Sequence, residues 1–267
     1  MLKYEIIDNH AQEWVVFIHG LGGSTKTWDK QIESFSANYN LLLLDLPGHG
    51  RHADKTIYKV DPHKLHTGIK ETLDHLHIDR AHFVGLSLGT IVIANFAVHY
   101  PNYVETIIFG GSVLKLSGIY KRALILANSI KRLVPYEFLY QFFAWFMMPK
   151  KRHKKSRLIF LREVVKLRKE TLFAWMEYLM FSLHPEKILT KLDFLEKRIL
   201  LISGDEDHCF IDGAKSIAKK MKSMEIRIIE KCGHVCSIER WKSFNTIALD
   251  YLSSYRTETG LCSSKIQ

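Results

Sequence analysis

The chain is predicted to be an α/β protein, with a doubly wound, mostly parallel sheet interrupted by an inserted helical segment. Three observations predict it. Short apolar runs alternate with longer amphipathic stretches from Trp14 to Ser112, and again from Arg198 to Tyr255, which is the rhythm of βα units. Between them, from about 113 to 190, that rhythm breaks and only helical patterns rich in aromatic and basic residues appear. The third observation is the pentapeptide Gly85-Leu86-Ser87-Leu88-Gly89, set between an apolar run and a helix-length segment. A G-x-S-x-G of this kind makes a strand-to-helix turn so tight that its serine is lifted clear of the sheet.

In chain order, Tyr4 to Ile7 reads as an edge strand. Trp14 to Ile18 is apolar throughout, as a strand buried on both faces requires. It runs into His19-Gly20-Leu21-Gly22-Gly23-Ser24, whose glycines let the backbone turn and present N–H groups inward. Trp28, Ile32 and Phe35 share one face of the helix that follows. Leu41 to Asp45 is a second buried strand, closed by Leu46-Pro47-Gly48-His49-Gly50-Arg51. Asp61-Pro62 opens a helix, with aspartate as N-cap and proline in the first turn. Ala81 to Val84 leads into the elbow, and Thr90 onward forms a helix stopped at Pro101. Gly85 and Gly89 are required there because a Cβ at either position would strike the neighbouring strand or helix. Glu105 to Phe109, Arg198 to Ser203 and Glu225 to Ile229 are further strands. Helices are expected from Ile211 to Met221 and from about Ile238 to Tyr255.

These elements divide the chain into a core of residues 1–112 and 191–255, a helical cap at 113–190, and a polar, disordered tail at 256–267. The length of 267 residues suffices for one substantial core, and 47% hydrophobic with 25% charged residues is an ordinary globular balance. No signal-like apolar region opens the sequence, and the apolar stretch from Phe138 to Pro149 is too short to span a bilayer. A cytoplasmic protein is expected. Cys209, Cys232, Cys236 and Cys262 lack the spacing of a disulfide framework. Cys232-x-x-x-Cys236 straddles His234 and could suggest a metal, but no second Cys/His pair accompanies it, so all four read as free thiols.

The net charge of +10 is unevenly placed. Residues 115–170 hold 15 Lys or Arg against three acids (Glu137, Glu163 and Glu170), so the whole basic excess lies in the insertion. The run Lys150 to Arg157 is by default a solvated face, placed by the sequence far from every catalytic motif. It could also attract an acidic acyl carrier, a coenzyme A thioester or an anionic membrane surface. Nucleic acid is not an expected partner, because no binding motif accompanies the charge.

A serine hydroxyl is a poor nucleophile at neutral pH and needs a base, itself oriented by an acid. If Ser87 attacks, the acid and then a histidine should follow later strands, in that chain order. Ser203-Gly204-Asp205-Glu206-Asp207 follows one such strand and Cys232-Gly233-His234 the next. Both fall at carboxyl ends of strands, where open α/β sheets bind ligands. His234 is the candidate base and Asp207 the preferred acid, with Asp205 and Asp212 as competitors. His19, just before Gly20, is expected to brace its loop by hydrogen bonding.

Together these pieces resemble the α/β-hydrolase fold superfamily, in its group of small cap-bearing esterases, thioesterases and C–C hydrolases. His19-Gly20-Leu21-Gly22-Gly23, Asp45-Leu46-Pro47-Gly48-His49-Gly50, Gly85 to Gly89, Gly204 to Asp207, and Gly233-His234 with Glu239 carry the resemblance over residues 14–112 and 198–252. His52 and Trp241 depart from the common pattern, where many relatives have serine and proline. The resemblance implies that Asp207 is the acid and that the amides of Leu21 and Leu88 supply the oxyanion donors. It also implies a mechanism without a cofactor, in which a carboxylic ester or thioester with an apolar acyl group passes through an acyl-enzyme. A cofactor-free C–C hydrolase or lyase, or a ligand-binding member that kept the triad, is the alternative. Substrate-contacting residues are not legible from the motifs.

Overall fold

The computed structural model describes residues 1–116, 118–181 and 186–259. Seven strands form one sheet: β1 (Lys3–Ile7), β2 (Trp14–Ile18), β3 (Asn40–Asp45), β4 (Ala81–Leu86), β5 (Val104–Gly110), β6 (Arg198–Gly204) and β7 (Met224–Ile229). Their spatial order is β1-β3-β2-β4-β5-β6-β7, with β1 antiparallel to β3 and every other pairing parallel. The doubly wound parallel sheet expected from the alternation is the one observed. Strands β3 and β4 are buried along their whole length, because helices cover both faces.

The helices are α1 (Asp29–Ser36), α2 (Pro62–His75), α3 (Leu88–His99), α4 (Gly118–Ile130), α5 (Tyr136–Met147), α6 (Lys154–Val164), α7 (Lys169–Phe181), α8 (Glu186–Phe194), α9 (Ile211–Ala218), α10 (Cys236–Glu239) and α11 (Trp241–Thr259). Asp61 caps α2 by accepting from the N–H groups of His63 and Lys64, with Pro62 at the first position. Five helices, α4 to α8, lie between β5 and β6 in sequence, where no strand was expected.

Two apolar layers flank the sheet. One contains Val16, Ile18, Phe83, Ile91, Phe96, Phe109 and residues of the insertion such as Trp175. The other holds Val15, Phe17, Trp28, Phe35, Val84 and Phe244. Alternate residues of β2 face opposite layers, the period-two geometry of a strand. The insertion is tied to the sheet's carboxyl edge by specific bonds. Trp175 Nε1 donates to the Pro47 carbonyl at 2.9 Å, and the Ile57 amide donates to Thr171 Oγ1 at 3.0 Å.

The C-terminal expectation needs correction. The final helix is split at Arg240, and its second part continues through Thr259, so residues 256–259 are helical and not tail. The reason is a long-range anchor: Arg256 Nε donates to the Glu13 carboxylate and Nη2 to the Asn38 carbonyl at 2.9 Å. Its guanidinium also lies over the Tyr39 ring at 4.3 Å. The rest of the expected tail, 260–267 with Cys262, lies outside the described residues.

Candidate active site

The elbow begins where β4 ends. Ser87 has φ +52 and ψ −116, a strained conformation for a side chain with a Cβ, held by packing on both sides. Its amide donates to the Gly110 carbonyl at 3.0 Å, and its carbonyl accepts from Thr90. The two glycines stand where steric reasoning placed them. A Cβ on Gly89 would come within 2.2 Å of the Ile18 carbonyl oxygen, and one on Gly85 within 2.7 Å of Ile93 Cδ1. Helix α3 can therefore approach β2 and β4 closely enough to point its first, unpaired N–H groups at the serine.

Three of the sequence-predicted residues meet here. His234 Nε2 lies 2.9 Å from Ser87 Oγ, and His234 Nδ1 lies 2.9 Å from Asp207 Oδ2. Asp207 is fully buried and His234 nearly so, so both interactions operate with little water around them. Phe210 packs against the imidazole, with ring centroids 5.2 Å apart. With Nδ1–H donating to Asp207, Nε2 is left free to accept the serine proton.

The competing carboxylates do other things. Asp205 Oδ1 accepts from the Cys232 amide at 3.1 Å, bracing the loop that carries His234. Burial pushes the Asp205 carboxyl up, but the Cys232 and Lys231 amides, with Lys150 and Arg152 nearby, outweigh it and hold the group below its usual range. Asp212 lies in the first turn of α9, where a negative charge suits the helix N-terminus.

Leu21 and Leu88 both line the cavity above Ser87. The loop of Leu21 is held by histidines that act as fixed spacers. His19 Nε2 accepts from the Leu46 amide at 3.1 Å and Nδ1 donates to the Gly20 carbonyl at 2.7 Å. His49 Nε2 accepts from the Gly22 amide at 3.1 Å. Burial lowers the pKa of both rings, in keeping with neutral imidazoles that each donate once and accept once. His52 accepts from the Lys3 amide at 2.9 Å, which accounts for a histidine at that departure from the common pattern. Cys209, Cys232 and Cys236 are buried free thiols, and burial raises the Cys236 thiol to about 12.

Above the serine is a cavity of about 90 Å³, roofed by Tyr120, Phe143, Phe146, Met147, Met148 and Phe160 of the insertion. A smaller chamber of about 30 Å³ shares Leu21, Phe143, Phe146 and Phe160 with it and extends between α4, α5 and α7. No Lys or Arg is among the described residues lining either space. The polar tie to the roof is Glu163, which accepts from Ser24 Oγ at 3.3 Å and pairs with Lys166 at 2.5 Å.

One cluster was invisible in the sequence. His153 is completely buried, with Nε2 3.0 Å from Glu206 Oε2 and 3.7 Å from Glu239 Oε2. Lys150 and Arg152 pair with Glu206 Oε1 at 2.9 and 3.3 Å. Glu239 Oε2 also accepts from the Gly233 amide at 2.7 Å. Part of the basic run thus clamps the insertion to the two loops that carry Asp207 and His234. It does not lie apart from them. A lone histidine inside a run of bases was the one available signal.

Comparison with known proteins places the chain. The profile of the alpha/beta hydrolase family matches residues 15–246. A 2-hydroxy-6-oxononadienedioate/2-hydroxy-6-oxononatrienedioate hydrolase of Pseudomonas sp. is 26% identical over 253 residues, covering 91% of this chain and 89% of that protein. Higher identities of 36% and 39% occur over 93 and 99 residues, where the chain spans only 25% and 38% of the relatives' lengths. A third short match, 28% over 116 residues, covers 43% of its relative. Among solved structures, a carboxylesterase study of Nitrososphaera gargenis gives a TM-score of 0.80 at 20% identity, over 96% of this chain and 95% of that one. The enol-lactonase of Burkholderia xenovorans LB400 gives 0.79 at 20%, over 94% and 96%. At such identities the structural likeness concerns the fold. The family profile extends across nearly the whole chain, elbow and histidine loop included, and so this protein belongs to the alpha/beta hydrolase family.

Proposed function

We propose that this hydrolase-family enzyme cleaves a carboxylic ester or thioester carrying an apolar acyl group, through a Ser87 acyl-enzyme. The observation that carries the reading is the hydrogen-bonded path from Ser87 through His234 to Asp207, opening into a cavity walled mainly by apolar side chains. His234 Nε2 takes the serine proton as Oγ attacks the carbonyl carbon, and Asp207 stabilises the imidazolium that results. The Leu21 and Leu88 amides receive the developing oxyanion, a contribution typically worth about 3 kcal/mol per donor. His234 then returns its proton to the leaving alcohol or thiol. In the second half, it takes a proton from the water that attacks the acyl carbon. It returns that proton to Ser87 Oγ as the bond from Oγ to the acyl carbon breaks, which frees the carboxylic acid and the serine.

The lining favours this over a dianionic substrate of the kind named for the Pseudomonas relative. Two carboxylates entering a space without Lys or Arg would lose hydration with no charge to offset it. The test is a panel of p-nitrophenyl esters and acyl thioesters of graded chain length, with a fluorophosphonate to label Ser87. Turnover with loss of both labelling and turnover in Ser87→Ala is expected, the latter by roughly 10⁶. Labelling without turnover on any member of the panel would defeat the hydrolase reading in favour of a lyase or a ligand-binding protein.

A further inference from the structure

The outer face of α5 is apolar where it should be polar. Leu139, Tyr140, Ala144 and Met147 turn inward and are buried, as an amphipathic helix requires. Yet Phe138 is 70% exposed, and Phe142 and Trp145 are each 56% exposed. Spaced four and three residues apart, they form one stripe on the opposite side of the helix. On the neighbouring helices, Leu126 and Ile130 of α4 and Leu158 of α6 are exposed as well. Scattered single apolar side chains on a surface need no explanation, but a contiguous stripe of large aromatics marks a surface that meets something apolar.

The charge around it narrows the partner. Helix α6 packs beside α5, with the Arg157 guanidinium 3.9 Å from the Trp145 ring centre. It carries Lys154, Lys155 and Arg162 into solvent, and none of them has an acidic partner within 4.0 Å among the described residues. This is the segment holding 15 basic residues against three acids. A second copy of the chain would bring two such segments face to face, an unfavourable meeting of like charge. Aromatic side chains with lysines and arginines beside them suit the headgroup region of an anionic bilayer. Helix α5 has 12 residues, about 18 Å at 1.5 Å per residue, against a hydrocarbon core of about 30 Å. It can lie in such a surface and cannot cross it.

The same stripe communicates with the catalytic cavity. Phe142 stacks on Phe146, with centroids 5.8 Å apart and planes at 23°. Both rings line the small chamber, and Phe146 also lines the cavity containing Ser87. We propose that the α4–α6 face of the insertion docks on anionic lipid surfaces, and that the enzyme draws an acyl lipid ester from the bilayer along the Phe142–Phe146 path. The docking half stands independently, whereas the substrate half rests on the hydrolase reading above.

Binding is read by vesicle flotation, without turnover, using phosphatidylcholine vesicles with and without about a third phosphatidylglycerol. The wild-type chain and Ser87→Ala should bind the anionic vesicles equally, at least tenfold more tightly than neutral ones. Each exposed lysine near the surface contributes about fivefold, so Lys154→Glu with Lys155→Glu should weaken binding by at least 25-fold and flatten its salt dependence. Phe138→Ser, which removes apolar area without adding charge, should weaken it about tenfold with the salt dependence retained. The Lys154→Glu/Lys155→Glu and Phe138 variants, unlike Ser87→Ala, should keep wild-type melting temperature and turnover of a small water-soluble ester. Equal binding to neutral and anionic vesicles, or none to either, overturns the docking proposal and leaves the hydrolase reading intact. A concentration-dependent dimer abolished by Phe138→Glu also overturns it, by naming a second copy as the occupant. Vesicle binding without turnover of any ester keeps the surface and removes the substrate half.

Discussion

Replacing Asp207 by asparagine tests the relay at its buried end. The carboxylate oxygen is 2.9 Å from His234 Nδ1, and Asp207 is fully buried. When the imidazolium forms, two unit charges with centres about 4 Å apart attract by about 4 kcal/mol at an effective dielectric of about 20. Losing that attraction raises the barrier by up to the same amount, roughly 10³ in rate at 1.4 kcal/mol per tenfold. The substitution also offers His234 an N–H₂ donor as readily as a carbonyl acceptor. Where the donor faces Nδ1, the ring turns to the tautomer whose Nε2 carries a proton and cannot accept one from Ser87. That second effect brings the expected loss to about 10⁴, the size found when a buried triad acid is amidated. Nearly isosteric asparagine should leave folding intact, so the melting temperature should move by only a few degrees. The assay is kcat/KM on a soluble p-nitrophenyl ester, paired with fluorophosphonate labelling rates, for Asp207→Asn, Asp205→Asn and Asp212→Asn. Asp205→Asn weakens one loop-bracing bond and should cost about tenfold, and Asp212→Asn should be near neutral. A loss at Asp205 equal to that at Asp207, or retention of a tenth of wild-type rate in Asp207→Asn, would refute the assignment.

The clamp and the loops beneath it give two further expectations. Burial pushes the Glu206 carboxyl up, but hydrogen bonds to Lys150 and His153 and the Arg152 charge more than offset that and lower its pKa. A carboxylate lowered on folding stabilises above its unfolded pKa of about 4.3, and loses that contribution as pH falls through the folded value. Thermal melts across pH 3 to 7 should therefore show an acid limb that Glu206→Gln flattens. An unchanged limb in that variant would remove the clamp from the account of acid stability. Gly111 has φ +50, and a Cβ there would lie 2.2 Å from the His234 carbonyl oxygen. Gly111→Ala should cost about 1–2 kcal/mol in left-handed strain and about 1–3 more in overpacking. Calorimetry should show a melting temperature lower by several degrees, with activity falling more than stability because His234 is the group displaced.

The sequence alone determined what depends on neighbours along the chain. Uninterrupted apolar runs such as Leu41 to Leu44 belong in a two-faced sheet, because a run this short reads as a strand covered on both sides, whereas a buried helix needs a longer one. The elbow glycines followed from steric limits within a few residues. The elbow motif implied an acid and then a histidine later in the chain, and the alternation placed Asp207 and His234 at the carboxyl ends of later strands. Tertiary structure decided whatever links distant segments. His153 and Glu206 are 53 residues apart, and no local period announces their meeting. Residues 256–259 looked like tail because their anchor, Glu13, lies at the other end of the chain. Helix α5 is apolar around nearly its whole circumference, so its pattern could not say which side faces the core. Only the packing of α4, α6 and α7 against it separates Phe143 and Phe146, which roof the cavity, from Phe138 and Trp145, which face solvent. An apolar side chain carries no direction of its own, and direction comes from the neighbours that cover it.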